Sequence, residues 1–467
     1  MVLLALAVLL IPAALFAQDS QQPAPPQPQQ PAQQAPQPSP ITLQQAVSIA
    51  LEKNPQRKVA LADTRAAAAG VQEARSYLLP HLSFDETAVR SDDPVFVFGS
   101  KLRQRRFSAA DFGLNVLNTP LPYGNFGTRF DGAWNLFDSF ASWHAIDRAK
   151  RMQDAAGHDL DRTGQEIIFR VVNSYYGVLL AEKRVEVAAE SMKTAQAILE
   201  RSKHRYESGV VVESDYLSAQ VRLATRKQEE ISATNDLAFA RAQLATSMGL
   251  PAGSEFQPAE SLAEKKFPAV SLEDAEKQAV QMRPDLSGLR SQEDAQKQSV
   301  AMAKSAFGPR ISAFADWEAD NPTFLAGGGG NNWTAGVQLQ FDLFTGGAKR
   351  AELARERAME TKIAAAREAT TDQIRLEVRR AYYDLDSAQQ QIDVARASVT
   401  EAQEGLRINQ NRYGSGLATI TDLLGAEDAT RMSQMSYWQA LYRYYTSYAG
   451  LQLASGTLNP QSPVVTP

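Results

Sequence analysis

Cysteine is missing from all 467 residues of this chain, and histidine occurs only four times. Without thiols no disulfide framework, thiolate metal site or lipid-carrying cysteine is expected. His81, His144, His158 and His204 are scattered without ligand spacing and read as ordinary polar positions. Beyond residue 17 there is no apolar run of about 18 residues or more, so no transmembrane helix is expected. Gly-rich phosphate loops, nucleophile–base pairs and metal constellations are lacking too. The chain is therefore expected to have no catalytic site and no cofactor. Net charge is only −5, with both signs interspersed, which leaves no basic footprint for nucleic acid.

What the chain does contain begins with Val2 to Phe16, an uncharged apolar stretch ending at Ala17 before Gln18. It is too short for a membrane span and reads as the apolar part of a signal peptide, 1–17, without the usual basic start. Residues 18–40 are nearly all Gln, Pro, Ala and Ser. Such a segment cannot bury a core and is expected to be a disordered tether. A disordered tail is expected at 458–467.

Between these ends every landmark occurs twice. Ser174-Tyr175-Tyr176 answers to Ala381-Tyr382-Tyr383, Arg205-Tyr206-x-x-Gly209 to Arg412-Tyr413-x-x-Gly416, and Asp215-x-Leu217 to Asp422-x-Leu424. Each pair lies 207 positions apart (382−175, 412−205, 422−215). Upstream, Leu43 and Leu272, Pro55 and Pro284, and Pro80 and Pro309 are 229 apart (309−80), so the first copy carries about 22 extra residues between Pro80 and Leu136. This is an internal tandem duplication with units far longer than a solenoid repeat. The first unit is 41–250, the second 271–457, and 251–270 links them.

Each unit predicts one very long helix, about 139–208 and 347–413. In the second, Ile374, Val378, Ala381, Leu385, Ala388, Ile392, Ala395, Val399, Ala402 and Leu406 alternate spacings of four and three. The same register in the first gives Ile167, Val171, Ser174, Val178, Ala181, Val185, Ala188, Met192, Ala195 and Leu199. A seven-residue apolar repeat over more than four heptads is a coiled-coil seam. A solvent-exposed stalk and a stave in a hollow helical cylinder both fit that pattern. Shorter helices are expected at about 56–79, 214–248, 284–306 and 421–455. Gly209 and Gly416 supply the turn between the long helix and the next, so each unit ends in an antiparallel hairpin with a tight tip.

Between helices the period switches to two, which predicts strands at about 81–90, 125–137, 310–319 and 332–344. Trp333, Ala335, Val337, Leu339, Phe341 and Leu343 alternate with polar or small residues. Phe126, Thr128, Phe130, Gly132, Trp134 and Leu136 form the matching series. That length and alternation suit a transmembrane strand, although a half-buried soluble sheet would alternate in the same way. Glu86 falls on the apolar series and belongs near a membrane interface if the strand spans lipid. Long loops are expected at about 91–124 and around Gly327–Gly330. Four strands cannot close a barrel, and an open edge in lipid leaves backbone groups unsatisfied. Several copies must then share one barrel.

These features together resemble the TolC-like outer-membrane efflux protein family, over about 41–457. The resemblance rests on the duplication, on the strand-to-helix passage Phe341-Asp342-Leu343-Phe344-Thr345-Gly346-Gly347, and on the twin tips Arg-Tyr-x-x-Gly-x5-Asp-x-Leu. It implies a homotrimer in the bacterial outer membrane, mainly α with membrane β. Four strands from each protomer would form a shared twelve-stranded β-barrel, and the long helices an α-barrel tunnel across the periplasm. The implied partners are a periplasmic adaptor protein and an inner-membrane transporter, often of the resistance-nodulation-division type.

By the same resemblance, Arg205, Tyr206, Gly209, Leu217, Arg412, Tyr413, Gly416 and Leu424 fall at tips that meet the adaptor, and Asp215 and Asp422 at the gated constriction. For the two aspartates plain helix capping is the alternative. The chain departs from the family at Ala418, at Gly425 and at Ser139-Phe140, which replaces Gly-Gly, and so a different closed-state bonding pattern is expected. The function implied is a passive exit duct of a tripartite efflux pump. A type I secretion outlet, a soluble coiled-coil scaffold and a periplasmic adaptor are the rivals. Cargo is not legible.

Overall fold

The computed structural model describes residues 39–324 and 330–466. The expected signal peptide, residues 18–38 of the tether, and Gly327–Gly329 lie outside the described residues. The first unit comprises β1 (Ser39–Ile41), α1 (Leu43–Lys53), α2 (Pro55–Ser76), β2 (His81–Ser91), α3 (Pro94–Arg103), a 3-10 turn (Ala109–Phe112), α4 (Leu114–Asn118), β3 (Tyr123–Phe137), α5 (Ala141–Glu207) and α6 (Glu213–Ser247). After β4 (Phe256–Pro258), the second unit runs α7 (Leu272–Met282), α8 (Pro284–Ser305), β5 (Arg310–Asn321), β6 (Gly330–Gln340), α9 (Ala348–Gly414) and α10 (Ile420–Ala454). Helices of 11, 22, 67 and 35 residues recur in that order in both units. At 1.5 Å per residue the longest pair are rods of about 100 Å.

Two proline breaks organise the helical layer. Pro55 and Pro284 open α2 and α8, where the missing N–H costs nothing because it would have no intrahelical partner. Asn54, just before the first break, bonds the Ser247 carbonyl at the end of α6 at 2.9 Å. Gly249 follows with φ 76°, and a Cβ there would lie 2.6 Å from Asn54 Cα. Gly456 repeats this against Arg283, 2.8 Å from its backbone nitrogen. Thus α6 butts end-on against α2, and α10 against α8, making two composite staves. Above the junctions the packing order is α2, α5, α8, α9; below, it is α6, α5, α10, α9. Away from the break level the layer is one helix thick, so the helices there carry an apolar seam and are otherwise largely polar.

The two long helices are buried unequally. Helix α5 is covered on both flanks, whereas α9 ends the row and leaves Leu376, Tyr383 and Val394 largely exposed. The main core sits at the break level, where α1, the parallel β1–β4 pair and the C-terminal segment pack on α5 and α10. Tyr444 and Tyr448 stack on Phe267 at 5.4 and 4.1 Å, and Tyr445 meets Tyr176 at 4.3 Å. This aromatic run is packing.

Several sequence expectations need correction here. The tail beyond 457 is not disordered through residue 466: Leu458, Val464 and Val465 are buried, and Tyr176 donates to the Val464 carbonyl. The link at 251–270 contributes β4 and buried Leu262. The tether gives way at Ser39 to a strand. Helices α1 and α7 and the helices inside the 91–124 loop were also unforeseen. Residues with no long apolar period of their own order when another element covers them.

The four longer strands form one antiparallel sheet in the order β2-β3-β5-β6. Its register aligns Phe84, Phe130, Trp317 and Trp333 in one row across all four strands. The next row outward is Glu86, Thr128, Ala319 and Asn331. Inward on the same face come Leu82, Gly132, Ala315 and Ala335, then Trp134, Ala313 and Val337. This face is an apolar band bounded by an aromatic row, with polar residues starting just beyond it, the profile of a lipid-facing surface at its interface. Glu86 lies in the row just beyond the aromatic one and accepts from Thr128 at 2.6 Å. The opposite face carries Asp85, Arg129, Glu318 and Asn332 in one row. Strands β2 and β6 are edges. Among the described residues no helix is long and apolar enough to cross a membrane.

Candidate gate and docking site at the hairpin tips

Both hairpins turn through the same backbone device. The Gly209 amide donates to the Tyr206 carbonyl at 2.9 Å and the Val210 amide to Arg205 at 2.8 Å. In the second tip Gly416 bonds Tyr413 at 3.1 Å and Leu417 bonds Arg412 at 2.8 Å. Gly209 and Gly416 adopt φ of 69° and 76°, the left-handed cap that stops a helix and satisfies its last carbonyls.

From this shared frame the side chains diverge. Arg205 reaches across to the other hairpin, where its Nη1 donates to the Tyr413 and Gly414 carbonyls, the latter at 3.2 Å. Its guanidinium also lies 4.9 Å from the centre of the Tyr413 ring. A cation on the last carbonyls of α9 complements that helix's negative end. Arg412, its counterpart, stays within its own tip and bonds the Leu417 carbonyl at 3.3 Å. Tyr206 is partly exposed and stacks on Tyr216 at 5.9 Å. Tyr413 is buried with Ile198, Ala219, Ile420, Leu423 and Leu424 in a small tip core.

Burial separates the eight tip positions expected to meet an adaptor. The side chains of Tyr413 and Leu424 are withdrawn into the tip core, because the two hairpins pack on each other there. Leu217 stays exposed, joined by Val210, Val212 and Leu417, which the sequence reading passed over. Apolar residues in turns where polar ones are usual were the available signal.

The two aspartates also differ. Asp422 completes a capping box, accepting from the Thr419 amide at 2.9 Å and hydroxyl at 2.7 Å. Those bonds, with Arg412 nearby, hold its carboxyl below the usual range. Asp215 occupies the first turn of α6 with no side-chain cap at that helix. Ala418 packs against the tip core, and a side chain at Gly425 would meet open space.

A second tie, unforeseen because its members are some 200 residues apart, lies further up the hairpins. Arg226 on α6 donates to both carboxylate oxygens of Glu427 on α10, at 3.1 and 2.6 Å. It also bonds Glu229 at 2.8 Å and contacts Asp428. Ser191 of α5 donates to Glu427, and Arg222 to Asp428 at 2.6 Å. Burial opposes the charge on Arg226, but its carboxylate partners outweigh this and hold the guanidinium firmly protonated. The network joins three helices from both hairpins.

Comparison with known proteins places the chain in a family. Residues 46–250 and 276–457 match the family described as Outer membrane efflux protein. The Vibrio cholerae outer membrane protein TolC is 25% identical over 335 residues, covering 69% of this chain and 74% of that protein. The Pseudomonas aeruginosa alkaline protease secretion protein AprF is 23% identical, covering 88% and 83%. Among solved structures, the Campylobacter jejuni CmeC outer membrane channel superposes with a TM-score of 0.75 at 18% identity, over 90% of this chain and 87% of that one. The chain belongs to the outer membrane efflux protein family: it is a TolC-like channel of the outer membrane and not an enzyme.

Proposed function

We propose that three copies of this chain assemble into the exit duct of a tripartite efflux pump, gated at its hairpin tips and driven by partner proteins. The observation that carries this reading is the sheet: four strands with a lipid-type face and two unpaired edges, fused to rods of about 100 Å. An open edge is untenable in hydrocarbon, and three such sheets supply twelve strands, enough to close. The unpaired flank of α9 has the same need and meets it in the same neighbour. The periplasmic adaptor would dock on the exposed apolar tip residues Val210, Val212, Leu217 and Leu417 beside Tyr206 and Gly209. Asp215 would line the constriction, and Arg205 and Arg226 would hold the two hairpins together until docking.

The test is direct. Detergent-solubilised protein is expected to run as a trimer and to give discrete conductance steps in planar bilayers. A monomer that stays soluble after detergent removal would sink the proposal. Deleting the gene is expected to raise susceptibility to small toxic compounds. Loss of a secreted protein without any such change would favour the secretion reading, in line with what the relative AprF is named for.

A further inference from the structure

The extra residues of the first unit fold into a compact cap at the outer end of the sheet. Phe107 packs edge-on between Phe98 and Phe112, at 4.9 and 5.1 Å, and Lys101 bonds Asp111 at 2.7 Å. Gln104, almost fully buried, donates to the Gly124 and Asn321 carbonyls at 3.0 and 3.3 Å, tying the end of α3 to β3 and β5. Arg103 bonds Glu318 at 2.9 Å. Its carbonyl presses so closely on Gly330 that a Cβ there would overlap it. Helix α3 is thus fixed to three strands. Glu318 shares its row with Asp85, Arg129 and Asn332, on the face opposite the aromatic row. The cap therefore leans over the polar side, away from lipid.

Helix α3 has two contrasting faces. Val97 and Ser100 are buried, and with Gln104 they lie along one side. Val95, Phe98 and Leu102 are exposed and lie about half a turn away, at the i, i+3, i+7 spacing of a contact stripe. Among the described residues Val95 and Leu102 stay open, and Phe98 is covered on one side by Phe107 while its remaining surface faces outward with them. On the polar side of a closed barrel it faces the axis, where a symmetric assembly presents further copies of itself. Barrels of about eight strands are filled by side chains alone and those of about sixteen leave an open channel. Twelve strands leave an intermediate lumen that three helices, each about 10 Å across, would largely fill.

We propose that the α3 helices of three copies meet on the barrel axis through Val95, Phe98 and Leu102 and form an apolar plug over the outlet, held by the Arg103–Glu318 and Gln104 anchors. The partner is a second and third copy of this chain. The proposal rests on the trimeric reading above, and the outlet then has a closure of its own, distinct from the periplasmic tips.

The chain has no native cysteine, so single substitutions report cleanly. Val95→Cys and Leu102→Cys are made separately in the full chain, and assembly is checked by native mass in detergent. Oxidation or a short bis-maleimide is expected to yield covalent dimers on denaturing gels, since disulfides form only between Cα atoms about 4.4–6.8 Å apart. On intact cells, labelling of Val95→Cys by a polymer-linked maleimide is expected to rise at least tenfold when Glu318→Ala and Arg103→Ala release the anchor. An intact trimer with no cross-link at either position and no change on release overturns the plug. A monomer overturns the trimeric reading itself, and the plug with it.

Discussion

Arg226 and Glu427 grip one another through two hydrogen bonds, Nε to Oε1 at 3.1 Å and Nη2 to Oε2 at 2.6 Å, with their side chains only 1% and 3% exposed. The pair joins α6 to α10, and therefore one hairpin to the other. Removing one partner strands a buried charge, at a cost of about 3–5 kcal/mol, whereas replacing both with apolar residues can be nearly neutral. Arg226→Leu alone is expected to loosen the tips and raise single-channel conductance in planar bilayers. Arg226→Leu with Glu427→Leu is expected to recover most of the lost stability. Equal destabilisation by the single and double variants would argue against the tie.

Arg205 is expected to matter more than Arg412 although their sequence contexts match. Only Arg205 spans the two hairpins, through the Tyr413 and Gly414 carbonyls and the Tyr413 ring. Arg205→Ala should favour tip opening by about 1–3 kcal/mol, the worth of charged hydrogen bonds plus a cation–π contact. Arg412→Ala should have a smaller effect. Bilayer recordings of the two variants side by side decide the matter, and the reverse order would disprove the assignment.

Acid should loosen the tips only well below neutrality. At Asp428 burial raises the carboxyl pKa, but Arg226 and Arg222 outweigh it, and the net displacement is downward. Asp422 is lowered by its Thr419 bonds. A carboxylate depressed in the folded state stabilises it fully above the unfolded value near 4, and that contribution is lost as pH falls through the lower folded value. Conductance is expected to stay flat from about pH 7 to 5 and to rise below about 4. A step between pH 6 and 5 would require a different group.

The stave junction and the tip make different demands on glycine. Gly209 has φ 69° and open space where a methyl group would project, so Gly209→Ala should cost about 1–2 kcal/mol from conformation alone. Gly249 has φ 76° and the Asn54 backbone 2.6 Å from where its Cβ would stand, so Gly249→Ala should be clearly worse. Thermal unfolding of the detergent-solubilised variants ranks them. Equal penalties would mean that α6 and α2 are not locked end to end.

Neutralising Asp215 separates pore lining from capping. Asp422→Asn weakens the capping box it forms with Thr419 and is expected to lower local stability measurably. Asp215→Asn removes a charge with no cap to lose. It should leave stability unchanged while weakening block by multivalent cations. Unaltered block in that variant excludes Asp215 from the constriction.

The sequence by itself determined the duplication, the long helices and the alternating strands, because heptad and two-residue periods are local and survive without any partner in place. It also named the tips, since Arg-Tyr-x-x-Gly recurs at a fixed offset. What it could not separate were the two copies. Arg205 and Arg412, or Tyr206 and Tyr413, are alike in context, yet one of each pair faces the other hairpin and one does not. That choice follows from α5 lying inside the helical row and α9 at its end. The Arg226 network, the packed C-terminal segment and the folded cap were invisible for a related reason. Each is stabilised by groups distant in the chain, so only the tertiary structure brings its partners together.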